Sequence, residues 1–320
     1  MKYPGKITTP ISHRRHFPPA MATHPPQSPQ KCNASPFANI QTIRETIQLA
    51  LISADVYQDP KNGPKTTRPY QKLSDAEVLN LGLKPSEFND PKTGFYSALY
   101  YHPRKKNYVL AFRGTHNLRG MIEDYRQYVG EESPQYMEGV ALSRHVSRKV
   151  GKENLILTGH SLGGGLAAVA ALATGRRATT FNAAYVHPNT LRKAGVTSTE
   201  KANQLISAYY TTGDGISRIE KIMGKVCNGI VRLADHLKIE KDVHASPFAK
   251  EHHSPSAPVP LGHVIPINAP PKDPRVLQKE PSLFPQHGMS FMSQTIFTSA
   301  IRALSSKPCR KMLFKHDHQK

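Results

Sequence analysis

Apolar side chains first fall into a helical rhythm at Ile40, Ile43, Ile47, Ala50, Leu51 and Ala54, where steps of three and four residues line one face. A loop rich in Pro, Lys and Gly follows over 59–69. Ser74, with Glu77 three residues later, then predicts a short capped helix ending near Leu81. There the rhythm changes. Phe95–Tyr101 and Tyr108–Phe112 are dense in aromatic and aliphatic residues, and the turn Pro103-Arg104-Lys105-Lys106-Asn107 between them predicts a β-hairpin. A helix is expected over Tyr136–Val150, stopped by Gly151. Asn154–Thr158 reads as a buried parallel strand and Leu162–Thr174 as a helix of small residues, with further strands at Ala178–Asn182 and Leu205–Thr211. Strands separated by helices predict an α/β protein whose mostly parallel sheet is covered by helices on both faces.

Beyond Asp214 the positions Ile216, Ile219, Ile222, Met223, Val226, Ile230, Leu233 and Leu237 again step by three or four, with Arg218, Lys221, Lys225, Arg232 and Lys238 between them. Two readings of this stretch stay open. It is a core helix with a solvated basic face, or a lid or cap over 216–243 that meets a membrane surface. Residues 244–286 are rich in proline and histidine, with a short strand expected at His263–Ile267 and a last helix over Met289–Leu304.

Composition changes this picture at its ends and surface. The chain has 320 residues, 27 of them proline, and prolines without hydrophobic periodicity crowd residues 1–36, which are expected to be a disordered arm. The basic segment 305–320 is expected to be a frayed tail, leaving 37–304 as the folded domain. No apolar run reaches the length of a membrane span, and no continuous apolar stretch near the start resembles a general secretory signal. The expectation is a cytoplasmic protein, or one exported by another route. Cys32, Cys227 and Cys309 are too scattered for a disulfide framework or a zinc site. A net charge of +20 predicts attraction to anionic surfaces, whether acidic phospholipid or nucleic acid. Nucleic acid is disfavoured, because the cations are dispersed and no nucleic-acid-binding motif or aromatic ladder accompanies them.

The sharpest chemical signal is Gly159-His160-Ser161-Leu162-Gly163, set between the expected strand and the small-residue helix. A serine hydroxyl attacks a carbonyl only when a base takes its proton and donors hold the oxyanion. A strand–turn–helix elbow supplies the exposure, and the helix start supplies backbone N–H groups. Gly159 and Gly163 flank the turn where a side chain would collide, and Gly164 and Gly165 extend the close packing. The Leu162 N–H is the expected oxyanion donor. Thr115, after the strand ending Phe112-Arg113-Gly114, is the candidate second donor, although an ordinary turn threonine would read the same.

In this architecture the triad runs serine, acid, histidine. Asp214, in Thr211-Thr212-Gly213-Asp214-Gly215 just past a strand, is the best-placed acid, ahead of Asp235 and Asp242. The base is contested between His287, directly before the last helix, and His263, at the start of the expected strand. Asp124 is either a solvent-facing helix residue or a support for the loop after Thr115.

Together Phe112-Arg113-Gly114-Thr115, Gly159-His160-Ser161-Leu162-Gly163-Gly164, Gly213-Asp214 and His287-Gly288-Met289 resemble the class 3 lipase family. The likeness is to its bacterial phospholipase A1-like branch, which includes secreted effectors, and it covers residues 90 to 304. It implies an α/β-hydrolase fold, a triad of Ser161, Asp214 and His287, and an oxyanion hole from Thr115 and Leu162. It also implies lipid ester hydrolysis without metal or cofactor. Where the family has a proline or small apolar residue after the aspartate, this chain has Gly215-Ile216. The competing readings are a general esterase or thioesterase on small acyl compounds, and a non-catalytic basic binding protein on a hydrolase scaffold. Oligomeric state has no signature in the sequence.

Overall fold

The computed structural model describes residues 37–58, 67–114, 133–211, 260–267, 296 and 299–300. Its frame is an eight-stranded sheet: β1 (Gln71–Lys72), β2 (Asn89–Asp90), β3 (Phe95–His102), β4 (Asn107–Phe112), β5 (Leu155–His160), β6 (Arg177–Phe181), β7 (Ile206–Thr211) and β8 (His263–Ile267). The spatial order is β1-β3-β4-β5-β6-β7-β8, with β2 also paired to β3. β3 and β4 form the expected hairpin, closed by Lys106 in a left-handed conformation (φ 50°). From β4 to β8 every pairing is parallel.

Four principal helices dress this sheet: α1 (Ile40–Asp55), α2 (Asp75–Asn80), α3 (Pro134–Val150) and α4 (Leu162–Thr174). Side chains alternate along a strand, so one strand feeds two cores. Leu110 and Phe112 of β4 join Leu155 and Leu157 of β5 in the core under α3 and α4. Val109, Ala111 and Ile156 point the other way, into the core under α1. Ile296 and Ala300, both helical, are buried in that second core. The mostly parallel sheet with helices on both faces is the α/β-hydrolase architecture expected of the sequence. No described helix is long and apolar enough to cross a membrane.

Capping groups and glycines punctuate the chain where the sequence places them. Ser74 and Glu77 form the reciprocal capping box of α2, with the Ser74 N–H donating to Glu77 Oε2 at 2.7 Å. Gly151 ends α3 with φ 86°. Two expectations need correction. β5 does not stop at Thr158 but runs to His160, because Gly159 and His160 keep the ladder to Phe112, Thr180 and Phe181 without needing apolar side chains. The inner face of α1 is also turned from the one read off its aliphatic residues. Thr46, Ser53 and Asp55 are buried with Ile40, Ile43, Leu49, Ala50 and Ile52, whereas Ile47, Leu51 and Ala54 are only half-buried.

Those polar residues are inside because each finds a partner on the sheet. Thr46 donates to the Tyr209 hydroxyl of β7 at 3.1 Å, and Ser53 and Thr158 of β5 share a hydrogen bond of 2.9 Å. Asp55 accepts from the Tyr100 hydroxyl of β3 at 2.8 Å. Burial, and then the neighbouring Asp55 carboxylate, push the Tyr100 hydroxyl well above its ordinary range, so it stays a donor. α1 is therefore pinned at defined points on three strands.

Candidate active site

Ser161 stands where β5 hands over to α4. Its backbone, φ 58° and ψ −129°, lies in a region that L-residues rarely adopt. Three N–H groups hold it there through the Ser161 carbonyl: Gly164 at 2.9 Å, Gly165 at 3.1 Å and Ala184 at 2.9 Å. The Ser161 N–H donates to the Phe181 carbonyl at 3.1 Å, tying the elbow to the end of β6. As the first residue of α4, Leu162 carries an N–H that has no carbonyl within the helix to bond.

The glycines around the serine are required by distance. A Cβ on Gly159 would overlap the Gly163 backbone, and one on Gly163 would overlap the Phe112 carbonyl. One on Gly164 would come within 2.8 Å of the Ala183 side chain. α4 accordingly lies in the sheet groove buried on every side from Leu162 to Ala171. That is why its small residues show so little amphipathic pattern.

The parallel register brings the carboxyl ends of the central strands to one edge, where open α/β sheets gather their chemistry. Phe112 pairs with Gly159, His160 with Phe181, Phe181 with Tyr209 and Thr211 with Ile267. Two segments carrying candidate groups begin at this edge. Gly114 is so close to the elbow that a Cβ there would lie 3.2 Å from the Ser161 Cβ and 2.5 Å from the His160 carbonyl. At the end of β7, the Thr211 N–H donates to Asn182 Oδ1 at 3.0 Å.

Two residues that the sequence reading passed over hold these segments. Asn182 is fully buried, has φ 42°, and donates its own N–H to the Tyr209 carbonyl at 2.8 Å. An asparagine directly after a strand is a recognisable signal for a left-handed position. Tyr57, in the turn after α1, accepts the Gly114 N–H at 3.0 Å and lies 3.1 Å from His160 Nδ1. No periodicity or motif singles it out. Beside them the Arg113 guanidinium stacks on the Tyr96 ring at 4.4 Å; burial lowers its pKa against the opposing effect of Tyr96 and Tyr57, and it stays cationic.

The expected site residues divide sharply. Ser161 and Leu162 are described and adjacent at the sheet edge. Thr115, Asp214 and His287 lie outside the described residues, as do Asp124, Asp235, Asp242, the three cysteines, the amphipathic stretch at 216–243, the arm at 1–36 and the tail at 305–320. The rival base, His263, is described and is remote. It is exposed, opens β8, and pairs with Ser207 in the row of Thr158, three residues short of Ser161 on β5. Three strand spacings alone place it about 14 Å from β5. It is too far to act as the base.

A model of the phospholipase-like family with a Tle-like phospholipase domain matches residues 48–251, well over half of the chain. The chain belongs to this family. The matched stretch of the Tle-like phospholipase domain contains Tyr57, Gly114, Ser161, Asn182 and Asp214, and the motif resemblance to phospholipase A1-like lipases pointed the same way. An extracellular phospholipase A1 of Serratia liquefaciens is 41% identical over 148 residues, which are 46% of this chain and 44% of that protein. The chain thus spans less than half the length of this curated relative. Among solved structures, a Rhizomucor miehei lipase propeptide complex aligns with 59% of this chain and 70% of its own at 16% identity and a TM-score of 0.37. A lipase from Rhizopus microsporus var. chinensis aligns over 61% and 75% at 15% identity and the same TM-score of 0.37.

Proposed function

We propose that this Tle-like phospholipase-family chain is a serine hydrolase that cleaves carboxylic esters of phospholipids, of the phospholipase A type. The observation that carries the reading is the held elbow: a serine in a rarely populated conformation, with the Leu162 N–H at the start of a helix directly behind it. Ser161 Oγ attacks the acyl carbonyl while its proton passes to His287, which Asp214 orients. The developing oxyanion is held by the Leu162 N–H and by Thr115. The proton on His287 then goes to the departing alcohol of the lysolipid. Water, deprotonated by the same histidine, attacks the acyl-enzyme, releasing the fatty acid and restoring the serine.

The family supports a lipid ester as substrate, and the +20 charge supports adsorption to an anionic bilayer. Each cation near such a surface adds about 1 kcal/mol. Liposomes of phosphatidylglycerol and of phosphatidylcholine test the reading, with wild type and Ser161→Ala side by side. Wild type is expected to release fatty acid, faster from phosphatidylglycerol, and Ser161→Ala to release none. Cleavage of short p-nitrophenyl esters with inert liposomes would replace the lipid reading with a general esterase.

A further inference from the structure

We propose that Tyr57 is a positioning residue for the oxyanion hole, its hydroxyl joining the strand end that leads to Thr115 to the elbow that carries Ser161 and Leu162. The inference rests on the hydrolase reading above and assigns a role at that same site.

Tyr57 reaches the site from outside it. It belongs to the turn that follows α1, and the last turn of α1 is fixed by Asp55 on Tyr100 and Ser53 on Thr158. The Tyr57 hydroxyl has one hydrogen to give and lone pairs to receive. It receives the Gly114 N–H at 3.0 Å. It donates to the His160 carbonyl at 3.3 Å and lies 3.1 Å from His160 Nδ1, where the imidazole tautomer sets which of the two is the donor. The Tyr57 and His160 rings meet edge to face at 6.0 Å, which keeps the phenol in line. A single oxygen thus touches the residue before Thr115 and the residue before Ser161.

A Cβ on Gly114 would overlap the Tyr57 hydroxyl as well as approach the His160 carbonyl to 2.5 Å. The glycine of the Phe-Arg-Gly-Thr motif is therefore matched to this hydroxyl: without a side chain at 114, the phenol can cross between the strand end and the elbow. An oxyanion hole works because its donors are already aimed when charge develops. The two proposed donors come from segments 46 residues apart in sequence, Thr115 and Ser161–Leu162. The β4–β5 ladder ties the two segments together as far as Phe112 and Gly159. Beyond it the tyrosine hydroxyl adds a link between Gly114 and His160, so its loss would blur donor geometry more than substrate binding.

The test compares wild type, Tyr57→Phe, Ser161→Ala and Ser53→Ala on p-nitrophenyl butyrate, with fluorophosphonate labelling rate and thermal unfolding measured for each. Tyr57→Phe keeps the ring and removes one oxygen. Its kcat is expected to fall about 10- to 100-fold, less than the loss of a direct oxyanion donor. KM should stay within about twofold and the labelling rate should fall with kcat. Ser53→Ala, which loosens α1 without touching the hydroxyl, should lower the unfolding temperature while kcat stays within about twofold. Replacing Tyr57 by 4-aminophenylalanine, which restores a donor and an acceptor, should recover most of the lost kcat; this variant also serves if the phenylalanine one is insoluble. The proposal is overturned if Tyr57→Phe matches wild type, if Ser53→Ala loses as much kcat, or if the amino analogue rescues nothing. A wild type that neither labels nor turns over overturns the hydrolase reading, and this role with it.

Discussion

The two faces of the sheet are held by opposite means. Under α4 the contact depends on missing atoms: Gly159, Gly163 and Gly164 let the helix approach the strand ends until no side chain fits between them. Under α1 the contact depends on polar atoms buried in the right places, at Thr46, Ser53 and Asp55. The first arrangement fixes the elbow in position against its strand. The second brings a turn, and with it Tyr57, across to the same elbow. Close packing thus sets where the serine is, and directed hydrogen bonds set what stands around it.

The largest expected effect tests the α4 face. Gly163→Ala drives a methyl into the Phe112 carbonyl and should cost about 3 kcal/mol of stability, with activity lost alongside. Denaturant unfolding measures it; a variant that is stable and active would break the contrast between the faces. Asp55→Ala leaves the buried Tyr100 hydroxyl without its acceptor and should cost about 2 kcal/mol. If it is as damaging as Gly163→Ala, the two faces are not held differently in kind.

Ser161→Gly acts in the opposite direction. Glycine adopts φ 58° without penalty, so unfolding should move to higher temperature by the equivalent of about 1 kcal/mol while ester hydrolysis disappears. The smallest effect lies outside both cores, where His145 Nδ1 meets Glu87 Oε1 at 2.7 Å. Partial burial raises the Glu87 pKa, but the bonds from His145 and the Lys84 N–H outweigh it and leave it below the usual carboxylate range. Its contribution is therefore present above the unfolded carboxylate pKa and fades as pH falls through the lowered folded value. Glu87→Gln should cost well under about 1 kcal/mol at neutral pH, and the difference from wild type should shrink in acid.

What the sequence made legible follows the same division. Glycines, a capping box and an apolar strand have local signatures, so the elbow, α2, the hairpin and the end of α3 could be read residue by residue. His263 as a strand opener was also readable, although its distance from Ser161 depends on a register that only the assembled sheet defines. Tyr57, Asn182 and the buried polar face of α1 left no comparable trace. Their roles depend on partners far along the chain: 57 residues separate Tyr57 from Gly114, and 163 separate Thr46 from Tyr209. A periodic reading counts a buried threonine or aspartate as solvent-facing and so sets the inner face of α1 on its aliphatic residues alone. Asn182 alone offered a hint, as an asparagine ending a strand.

The proposed chemistry requires Ser161 to be an activated nucleophile. The direct measurement is labelling of the intact protein with a fluorophosphonate probe, followed by mass mapping of the modified peptide. Stoichiometric modification at Ser161 is expected, blocked by prior incubation with a phospholipid substrate and absent from Ser161→Ala. An unlabelled wild type, or a label on another residue that persists in Ser161→Ala, would contradict it.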